Sequence, residues 1–397
     1  MKFVARWSAL VAVLVLGAAP VTHAAALDFV QLNTEGQNGV SGLAGVLAVI
    51  VSPDGRNVYA VGPSSDSVAV FSRDVATGAL TPLEVQKDGV GGVDGLAGAS
   101  ALVLSPDGGH VYVVGSRDDA VASFVRDPAT GALTFLEAQK EGTAGVEGLR
   151  YARAIAISPD GEYVYAAGQV SDAIAVFKRN GLTGWLNFVE VQRQGTRGVD
   201  GIAGPLALTV SADGAHLYAA SGDQSAVTVF ARNKGTGKLT LRAIEAEQGT
   251  DLGISGIHSV AVSPDGDFVY ATGQSDDAVA IFRRNHHTGA LTFAEIVAQG
   301  IDGVDGLYGA LWVTVSPDGH RVYVASTLDN ALAVFDRDQK SGALAFVEKQ
   351  KGAPGHDCLA FARGVAVSPD GKSVYVAGAS SNALVAFRVN DAAASGN

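Results

Sequence analysis

One phrase recurs seven times along this chain and restricts the possible folds more than any other feature. Each copy contains an aliphatic run, a Ser-Pro-Asp-Gly turn and a second apolar run that carries a tyrosine. The copies are spaced by 52 or 53 residues, and only the fourth departs, reading Ser-Ala-Asp-Gly. A fixed period of this length indicates a repeat architecture. The first serines of the seven motifs are Ser52, Ser105, Ser158, Ser211, Ser263, Ser316 and Ser368.

Each copy has the pattern of four β-strands. In the second copy, the apolar or β-branched runs are 101–104, 111–114, 120–124 and 133–138, and turn residues separate them. None of these runs has a helical period. Four strands in a repeat of this length are typical of a propeller blade. We therefore predict an all-β fold, a seven-bladed β-propeller with four antiparallel strands per blade.

The two ends of the repeat region predict how the ring closes. Residues 27–31 read Leu-Asp-Phe-Val-Gln and align with Leu133–Glu137, the fourth strand of the second blade. The last copy stops after its third strand, at Arg388. We therefore expect residues 27–33 to complete blade seven as its outermost strand, which removes the free sheet edges of an open ring.

Residues 1–26 have a composition unlike that of the repeats. Lys2 and Arg6 precede an apolar stretch, and small residues follow up to Ala26. This is the pattern of a secretory signal peptide, too short for a membrane span. We expect a propeller over 27–391, a flexible tail over 392–397, and a monomeric product without a transmembrane segment, either periplasmic or secreted.

Charge and cysteine content exclude several functions. The net charge is −12, and loss of the two basic residues of the leader makes it −14. A nucleic-acid partner is therefore not expected, because such proteins carry basic patches. Cys358 is the single cysteine, so neither an intramolecular disulfide nor a cysteine-based metal cluster can form.

The most informative differences between copies lie five residues before each motif serine, at the entry to the innermost strand. In blades three, five and seven this residue is basic, and we expect these three side chains to meet at one mouth of the central channel. Two guanidiniums and an imidazole favour a carboxylate, a phosphate or a developing oxyanion. In ring order the seven residues are Leu47, Ser100, Arg153, Leu206, His258, Leu311 and Arg363.

We take Arg153, His258 and Arg363 as the candidate catalytic residues. The candidate ligand-binding residues around them are Ser100, Tyr151, Trp312 and Phe361. The structural alternative is that each arginine pairs with a loop carboxylate and that the aromatic side chains wedge the blades together.

A second ring of acidic residues lies eleven positions before the motif serines, usually between glycines. Its carboxylates are candidate Ca²⁺ ligands, because Ca²⁺ prefers oxygen donors. The alternative is that each carboxylate caps its own backbone turn. The acidic members are Asp94, Glu147, Asp200, Asp305 and Asp357.

The Ser-Pro-Asp-Gly, Val-Tyr, Val-Ala-Val-Phe and Thr-Gly-Ala-Leu phrases resemble the lactonase family of seven-bladed propellers, which includes 6-phosphogluconolactonase-like proteins, and also YVTN-type surface propellers. The resemblance covers residues 27–390 and implies a lactone hydrolase. It makes His258, within Ile-His-Ser-Val, the general base and gives Arg153 and Arg363 the carboxylate or oxyanion.

The chain departs from the family at three points. The family's Pro-His-Ser-Val phrase loses its proline here, because Ile257 precedes His258. The family's Arg-His pair keeps only its arginine here, and the Asn-Glu pair is replaced by Gly168-Gln169 in blade three and Gly378-Ala379 in blade seven.

Two functions remain open from the sequence. The protein either binds a small anionic lactone or organic acid at the channel mouth, with or without hydrolysing it, or acts as a non-catalytic exported scaffold for a protein or polysaccharide.

Overall fold

A computed structural model of the protein describes residues 26–247, 252–352 and 358–390. The predicted leader up to residue 25, the predicted tail and Asp357 lie outside these ranges. Within them the regular structure is β-strand, apart from one short 3₁₀ turn at Gly222–Gln224. No helix in these ranges is both long and apolar enough to cross a membrane.

The strands form seven antiparallel sheets of four, as predicted. The first strand of the chain belongs to blade seven, and the next sixteen strands form blades one to four. These strands are β1 (Leu27–Thr34), β2 (Ala48–Val51), β3 (Asn57–Gly62), β4 (Ser67–Arg73), β5 (Leu80–Lys87), β6 (Ala99–Leu104), β7 (His110–Gly115), β8 (Ala120–Arg126), β9 (Leu133–Lys140), β10 (Ala152–Ile157), β11 (Tyr163–Gly168), β12 (Ala173–Arg179), β13 (Leu186–Arg193), β14 (Pro205–Val210), β15 (His216–Ser221), β16 (Ala226–Arg232) and β17 (Leu239–Ala246).

The remaining three blades complete the ring. Their strands are β18 (Ile257–Val262), β19 (Phe268–Gly273), β20 (Ala278–Arg284), β21 (Leu291–Ala298), β22 (Ala310–Val315), β23 (Arg321–Ser326), β24 (Ala331–Arg337), β25 (Leu344–Gln350), β26 (Ala362–Val367), β27 (Ser373–Gly378) and β28 (Ala383–Val389).

Blade seven closes as the sequence predicts. Its order is β1-β28-β27-β26, and β1 pairs antiparallel with β28 from Leu27 opposite Val389 to Thr34 opposite Ala383. The Glu348 carboxylate of blade six accepts hydrogen bonds from the backbone N–H groups of Ala26 (3.1 Å) and Leu27 (2.9 Å). The start of the chain is therefore held by two blades.

The repeated turn builds itself from its own side chains. In blade one, the Ser52 hydroxyl donates to Asp54 (2.5 Å) and accepts from the Asn57 N–H (2.9 Å), and Gly55 has a φ of +71°. The fourth copy lacks the proline but keeps the equivalent bond between Ser211 and Asp213 (2.6 Å). The serine, aspartate and glycine therefore suffice to form the turn.

The hydrophobic core is divided among the interfaces between neighbouring blades. Between blades one and two, for example, Tyr59 and Val61 pack with Leu102, Val111 and Phe124, and all five are buried. Both faces of the middle strands are covered in this way, so these strands are almost continuously apolar.

At six interfaces between blades, a buried arginine links the two neighbours on the face that carries the Ser-Pro-Asp-Gly turns. Arg126 donates to the Tyr59 hydroxyl (2.7 Å), the Gly108 carbonyl (3.1 Å) and the Asp54 carboxylate (2.7 Å). We call these arginines the seam arginines. The pairs are Arg73–Asp370, Arg126–Asp54, Arg179–Asp107, Arg232–Asp160, Arg284–Asp213 and Arg337–Asp265.

The seam between blades six and seven is different, because Val389 stands where the other blades carry the seam arginine. Here Arg321 of blade six donates to the Ala26 carbonyl (3.2 Å) and lies 3.4 Å from the Asp336 carboxylate. The closing seam therefore takes its arginine from the other blade.

Candidate functional site at the channel mouth

A β-bulge aims the residue that differs between copies. In blade three, Ala152 pairs with Gly168 and Ala154 with Ala167, which leaves Arg153 as the extra residue between them. The same break in register occurs at the equivalent residue of blades two, four, five and six. Bulges change the direction of a side chain at a strand end. They turn these residues towards the channel mouth.

In blade seven the break is wider and spans Arg363 and Gly364. Gly364 donates its N–H to the Leu47 carbonyl of blade one (2.9 Å), and a Cβ at Gly364 would lie 2.6 Å from that oxygen. Glycine is therefore required beside Arg363 by the close approach of blade one.

The seven predicted residues do converge on one small cavity, which we call the mouth cavity. Its volume is about 30 Å³. It brings together five of the predicted site residues: Arg153, His258, Arg363, Ser100 and Trp312. The full lining is Leu47, Ser100, Ala101, Arg153, Leu206, His258, Leu311, Trp312 and Arg363.

Below the mouth cavity the central channel widens to about 400 Å³ between the innermost strands. Four residues line both spaces and therefore mark the boundary between them: Ala101, Arg153, Leu206 and Trp312. The residue at the position of Trp312 is Ala154 in blade three and Gly364 in blade seven, and no other blade has a large side chain there. Trp312 therefore narrows the channel directly beneath the mouth cavity.

The two mouth arginines have aromatic rather than acidic neighbours. The Arg153 guanidinium lies 5.7 Å from the ring centre of Tyr151, and that of Arg363 lies 4.8 Å from Phe361. Both distances suit a cation–π contact. Among the described residues neither arginine forms an ion pair, whereas every seam arginine does. Pairing with a loop carboxylate therefore finds no support in the described part of the chain.

These two aromatic residues adopt a left-handed backbone conformation. Tyr151 has a φ of +54° and Phe361 of +57°, which is unfavourable for a side chain with a Cβ. The Asp119 carboxylate and the Asn330 amide oxygen hold their N–H groups at 2.6 and 2.7 Å. The other five blades have glycine at this position, with φ between 60° and 69°: Gly45, Gly98, Gly204, Gly256 and Gly309.

Sequence reasoning overlooked this replacement of glycine. The signal was available, because an aromatic residue takes the place of glycine in the same two copies that carry the mouth arginines. Strained conformations of this kind collect at functional sites. The left-handed conformation places the rings of Tyr151 and Phe361 against the two mouth guanidiniums.

His258 is the most perturbed group at the mouth. Its Nδ1 is buried and has no hydrogen-bond partner in the described structure, as is also true of the Nε of Arg363. Burial, and then the charges of Arg363 and Arg153, lower the pKa of His258 to about 3. The imidazole is therefore neutral at physiological pH.

The arginines remain charged despite their burial. Burial lowers the pKa of Arg153, and burial together with the Arg153 charge lowers the pKa of Arg363 to about 10. The mouth cavity thus combines two positive charges without a counterion in the described structure, one neutral imidazole and a wall of leucines.

Ser100 has a structural bond at the mouth. Its hydroxyl donates to the Ala152 carbonyl of blade three (2.9 Å), so its proton is already used. Any direct hydrogen bond of Ser100 to a ligand would therefore use a lone pair of the oxygen as acceptor.

The acidic ring does not converge. Asp94 lies 2.6 Å from the Lys140 ammonium and Glu147 3.6 Å from the Arg193 guanidinium. The other two described members also have partners in their own regions: Asp200 accepts from Gln194 and Gln224, and Asp305 pairs with Lys349. Each carboxylate is thus bound within its own part of the ring.

One group of carboxylates has metal-like spacing. Possible ligand atoms of Asp88, Asp94 and Asp118 lie within 4.8 Å of one another. Burial raises the pKa of Asp118, as do the charges of the other two aspartates, while Lys140 opposes the effect. The Lys140 ammonium already supplies a cation to this group, and calcium binding by the acidic ring stays a prediction.

Comparison with known proteins agrees with the fold. A family model described as "Lactonase, 7-bladed beta-propeller" matches residues 48–200, 92–254, 196–305 and 298–395. A 6-phosphogluconolactonase of Klebsiella pneumoniae (strain 342) is 24% identical over 254 residues, covering 62% of this chain and 71% of that protein. A probable 6-phosphogluconolactonase of Arthroderma benhamiae is 34% identical over 137 residues, 32% of this chain and 33% of that protein.

Solved structures share the architecture at low sequence identity. A putative 6-phosphogluconolactonase from Bacteroides uniformis has a TM-score of 0.62 and 21% identity, covering 76% of this chain and 84% of that one. A periplasmic gluconolactonase from Pseudomonas aeruginosa has a TM-score of 0.60 and 22% identity with the same coverage. Hydrazine synthase from Kuenenia stuttgartiensis has a TM-score of 0.63 and 19% identity, covering 90% and 99%.

At these identities the structural likeness shows the fold alone, because the last protein carries a different activity in its name. The family model covers most of the chain and confirms the resemblance inferred from the repeated phrases. The chain therefore belongs to the lactonase family of seven-bladed β-propellers, and is homologous to 6-phosphogluconolactonases.

Proposed function

We propose that this protein binds a small anionic lactone at the mouth cavity and hydrolyses it to the hydroxy acid. The observation that carries the proposal is the meeting of Arg153, Arg363 and His258 at one cavity, with no carboxylate paired to either arginine in the described structure. Unpaired guanidiniums in a site walled by leucines attract an anionic group strongly, because the local dielectric is low.

In the proposed reaction, water adds to the lactone carbonyl and the ring C–O bond breaks. His258 accepts a proton from the attacking water and returns one to the departing ring oxygen, while a guanidinium stabilises the oxyanion. With a pKa of about 3 the free imidazole is a weak base. The oxyanion that forms between the arginines offsets their charge and raises this pKa, so His258 becomes a stronger base as the reaction proceeds.

The cavity volume limits what enters. A space of about 30 Å³ accepts one or two water-sized groups. Only the anionic group or the carbonyl edge of a ligand therefore fits inside, and the sugar ring would lie outside against Tyr151, which is 41% exposed.

A pH-stat assay, which records the acid released by ring opening, tests the proposal. Neutral glucono-1,5-lactone and lactones carrying a carboxylate or a phosphate would be compared on the wild-type protein. We expect hydrolysis of an anionic lactone, reduced about 100-fold by His258→Gln and lost in Arg153→Gln/Arg363→Gln. Arg56→Gln, at an exposed turn residue, is the matched control. Equal rates in all four proteins would refute the proposal.

The proposal includes export, and it rests on the leader-like residues 1–26. The substrate would then be a compound outside the cytoplasm, in keeping with the name of the Pseudomonas relative, a periplasmic gluconolactonase. Cell fractionation with amino-terminal sequencing tests this part: a mature start near Leu27 in the exported fraction is expected, and an intact leader in the cytosol contradicts it.

A second candidate function, a binding scaffold for a protein or polysaccharide, is favoured by exposed apolar side chains near the mouth. Tyr308 and Leu328 are 51% and 68% exposed, and the Leu328 N–H donates to the Tyr308 carbonyl (3.1 Å). Aromatic side chains of this kind suit sugar rings. Tyr308→Ala would abolish polysaccharide binding but leave lactone hydrolysis unchanged if the scaffold function is separate.

A further inference from the structure

The mouth arginines have an unmet electrostatic requirement. Each seam arginine faces an aspartate, but Arg153 and Arg363 face only each other, His258 and uncharged side chains within the described structure. The charge of Arg153 acts on Arg363. Two like charges in a poorly solvated cavity need a counterion, because burial of an unpaired charge is strongly unfavourable.

The size of the cavity selects the kind of counterion. About 30 Å³ holds one or two water-sized groups, which suits a single chloride or bromide ion. Sulfate and phosphate carry four oxygens around a central atom, so only part of either ion fits inside. A halide also accepts hydrogen bonds from any direction, so it can serve guanidiniums that approach from different blades.

The neutral imidazole adds a third contact. The Nδ1 of His258 is buried and lacks a partner in the described structure, and in the tautomer that carries hydrogen at Nδ1 it can donate to an anion. The charged groups that face the imidazole from the lining are Arg153 and Arg363; the remaining lining residues are uncharged.

We propose that the mouth cavity is a halide site, holding one chloride ion between Arg153, Arg363 and His258 as the counterion of the free protein. The same ion then competes with the anionic substrate. This competition rests on the proposed function, whereas the halide site itself does not.

Chloride-35 NMR of the full chain tests the site, because exchange of chloride with a protein site broadens its resonance. We expect broadening that bromide reverses and that phosphate at equal ionic strength reverses at least tenfold less effectively. Arg153→Gln/Arg363→Gln should remove the excess broadening, and Arg56→Gln should retain it. Lowering the pH from 8 to 5 should strengthen chloride binding, since an anion raises the pKa of His258.

A crystal soaked in bromide gives a readout that needs no variant, which matters if the double variant fails to fold. We expect an anomalous bromide peak between the two guanidiniums. Three results would each overturn the halide site. The first is the absence of both the peak and the broadening, and the second is broadening that survives in a folded double variant. The third is displacement of chloride by phosphate as effective as that by bromide.

The competition is tested separately from the proposed function. At constant ionic strength, added chloride should raise the KM for an anionic lactone several-fold and leave kcat unchanged. A halide signal in a protein that hydrolyses no lactone refutes the proposed function alone. Hydrolysis without a halide signal, or with a KM independent of chloride, refutes the corresponding part of the halide proposal.

Discussion

The pKa of His258 makes a quantitative prediction about acid stability. Burial and the mouth arginines lower it to about 3 in the folded protein, whereas an unfolded histidine titrates near 6.5. Between these values the unfolded chain binds a proton at this site that the folded protein does not. The free energy of unfolding therefore falls as the pH drops below about 6.5, by about 1.4 kcal/mol per pH unit.

At pH 4.5 this single site should have removed about 2 to 3 kcal/mol of stability relative to pH 7.5. His258→Gln removes the titrating group and keeps a polar side chain at the mouth. Burial also lowers the pKa of His110 and His216, but those groups are present in both proteins and cancel in the comparison.

Urea unfolding of both proteins at pH 7.5 and 4.5, in buffers free of halide, measures the effect. We expect the wild-type protein to lose about 2 to 3 kcal/mol more than His258→Gln over this interval. An identical loss in the two proteins would show that His258 titrates near its ordinary pKa. The reasoning about two uncompensated charges beside the imidazole would then be wrong.

Three further perturbations follow from contacts elsewhere in the ring. Arg179→Met removes the donor to Tyr112 (3.0 Å), Gly161 (3.0 Å) and Asp107 (2.7 Å). It should lower the free energy of unfolding in urea by about 3 kcal/mol. The control is Arg117→Met, which breaks an exposed pair with Asp66 and should lower it by less than about 1 kcal/mol. Equal losses would refute the seam role. Deletion of residues 27–34 removes the outer strand of blade seven and should lower the melting temperature sharply, by more than about 10 °C; unchanged melting would contradict the closure by β1. Gly364→Ala brings a Cβ to 2.6 Å from the Leu47 carbonyl oxygen and should cost about 2 kcal/mol, and a melting temperature equal to that of the wild type would show that the two blades can move apart.

The sequence predicts the ring and its closure because the determining interactions are local and repeated. The turn contacts among Ser52, Asp54 and Gly55 recur in every blade and involve neighbouring residues. The outer strand of blade seven was identified because residues 27–31 match the fourth strand of another copy. The convergence of the mouth residues followed from the closed ring, which brings equivalent positions of all blades to one axis.

The details of the mouth did not follow from the sequence. The bulge at Arg153 leaves no mark in the residues Ala-Arg-Ala, because it depends on which backbone groups pair with β11. From the sequence, loop carboxylates were equally good partners for all the arginines. Only the three-dimensional contacts show that the seam arginines pair with aspartates and that the mouth arginines do not in the described structure. The sequence shows Tyr151 and Phe361 as exceptions at a glycine position. Only the backbone angles show that both residues are strained.

The central claim is that Arg153, His258 and Arg363 form one anion site, and calorimetry tests it most directly. Titration of D-gluconate and D-glucarate, the ring-opened acids, into wild-type protein, Arg56→Gln and Arg153→Gln/Arg363→Gln gives affinity without requiring catalysis. The account predicts saturable binding of at least one acid by the first two proteins and none by the folded double variant. Equal binding by all three would place the anion site elsewhere on the ring.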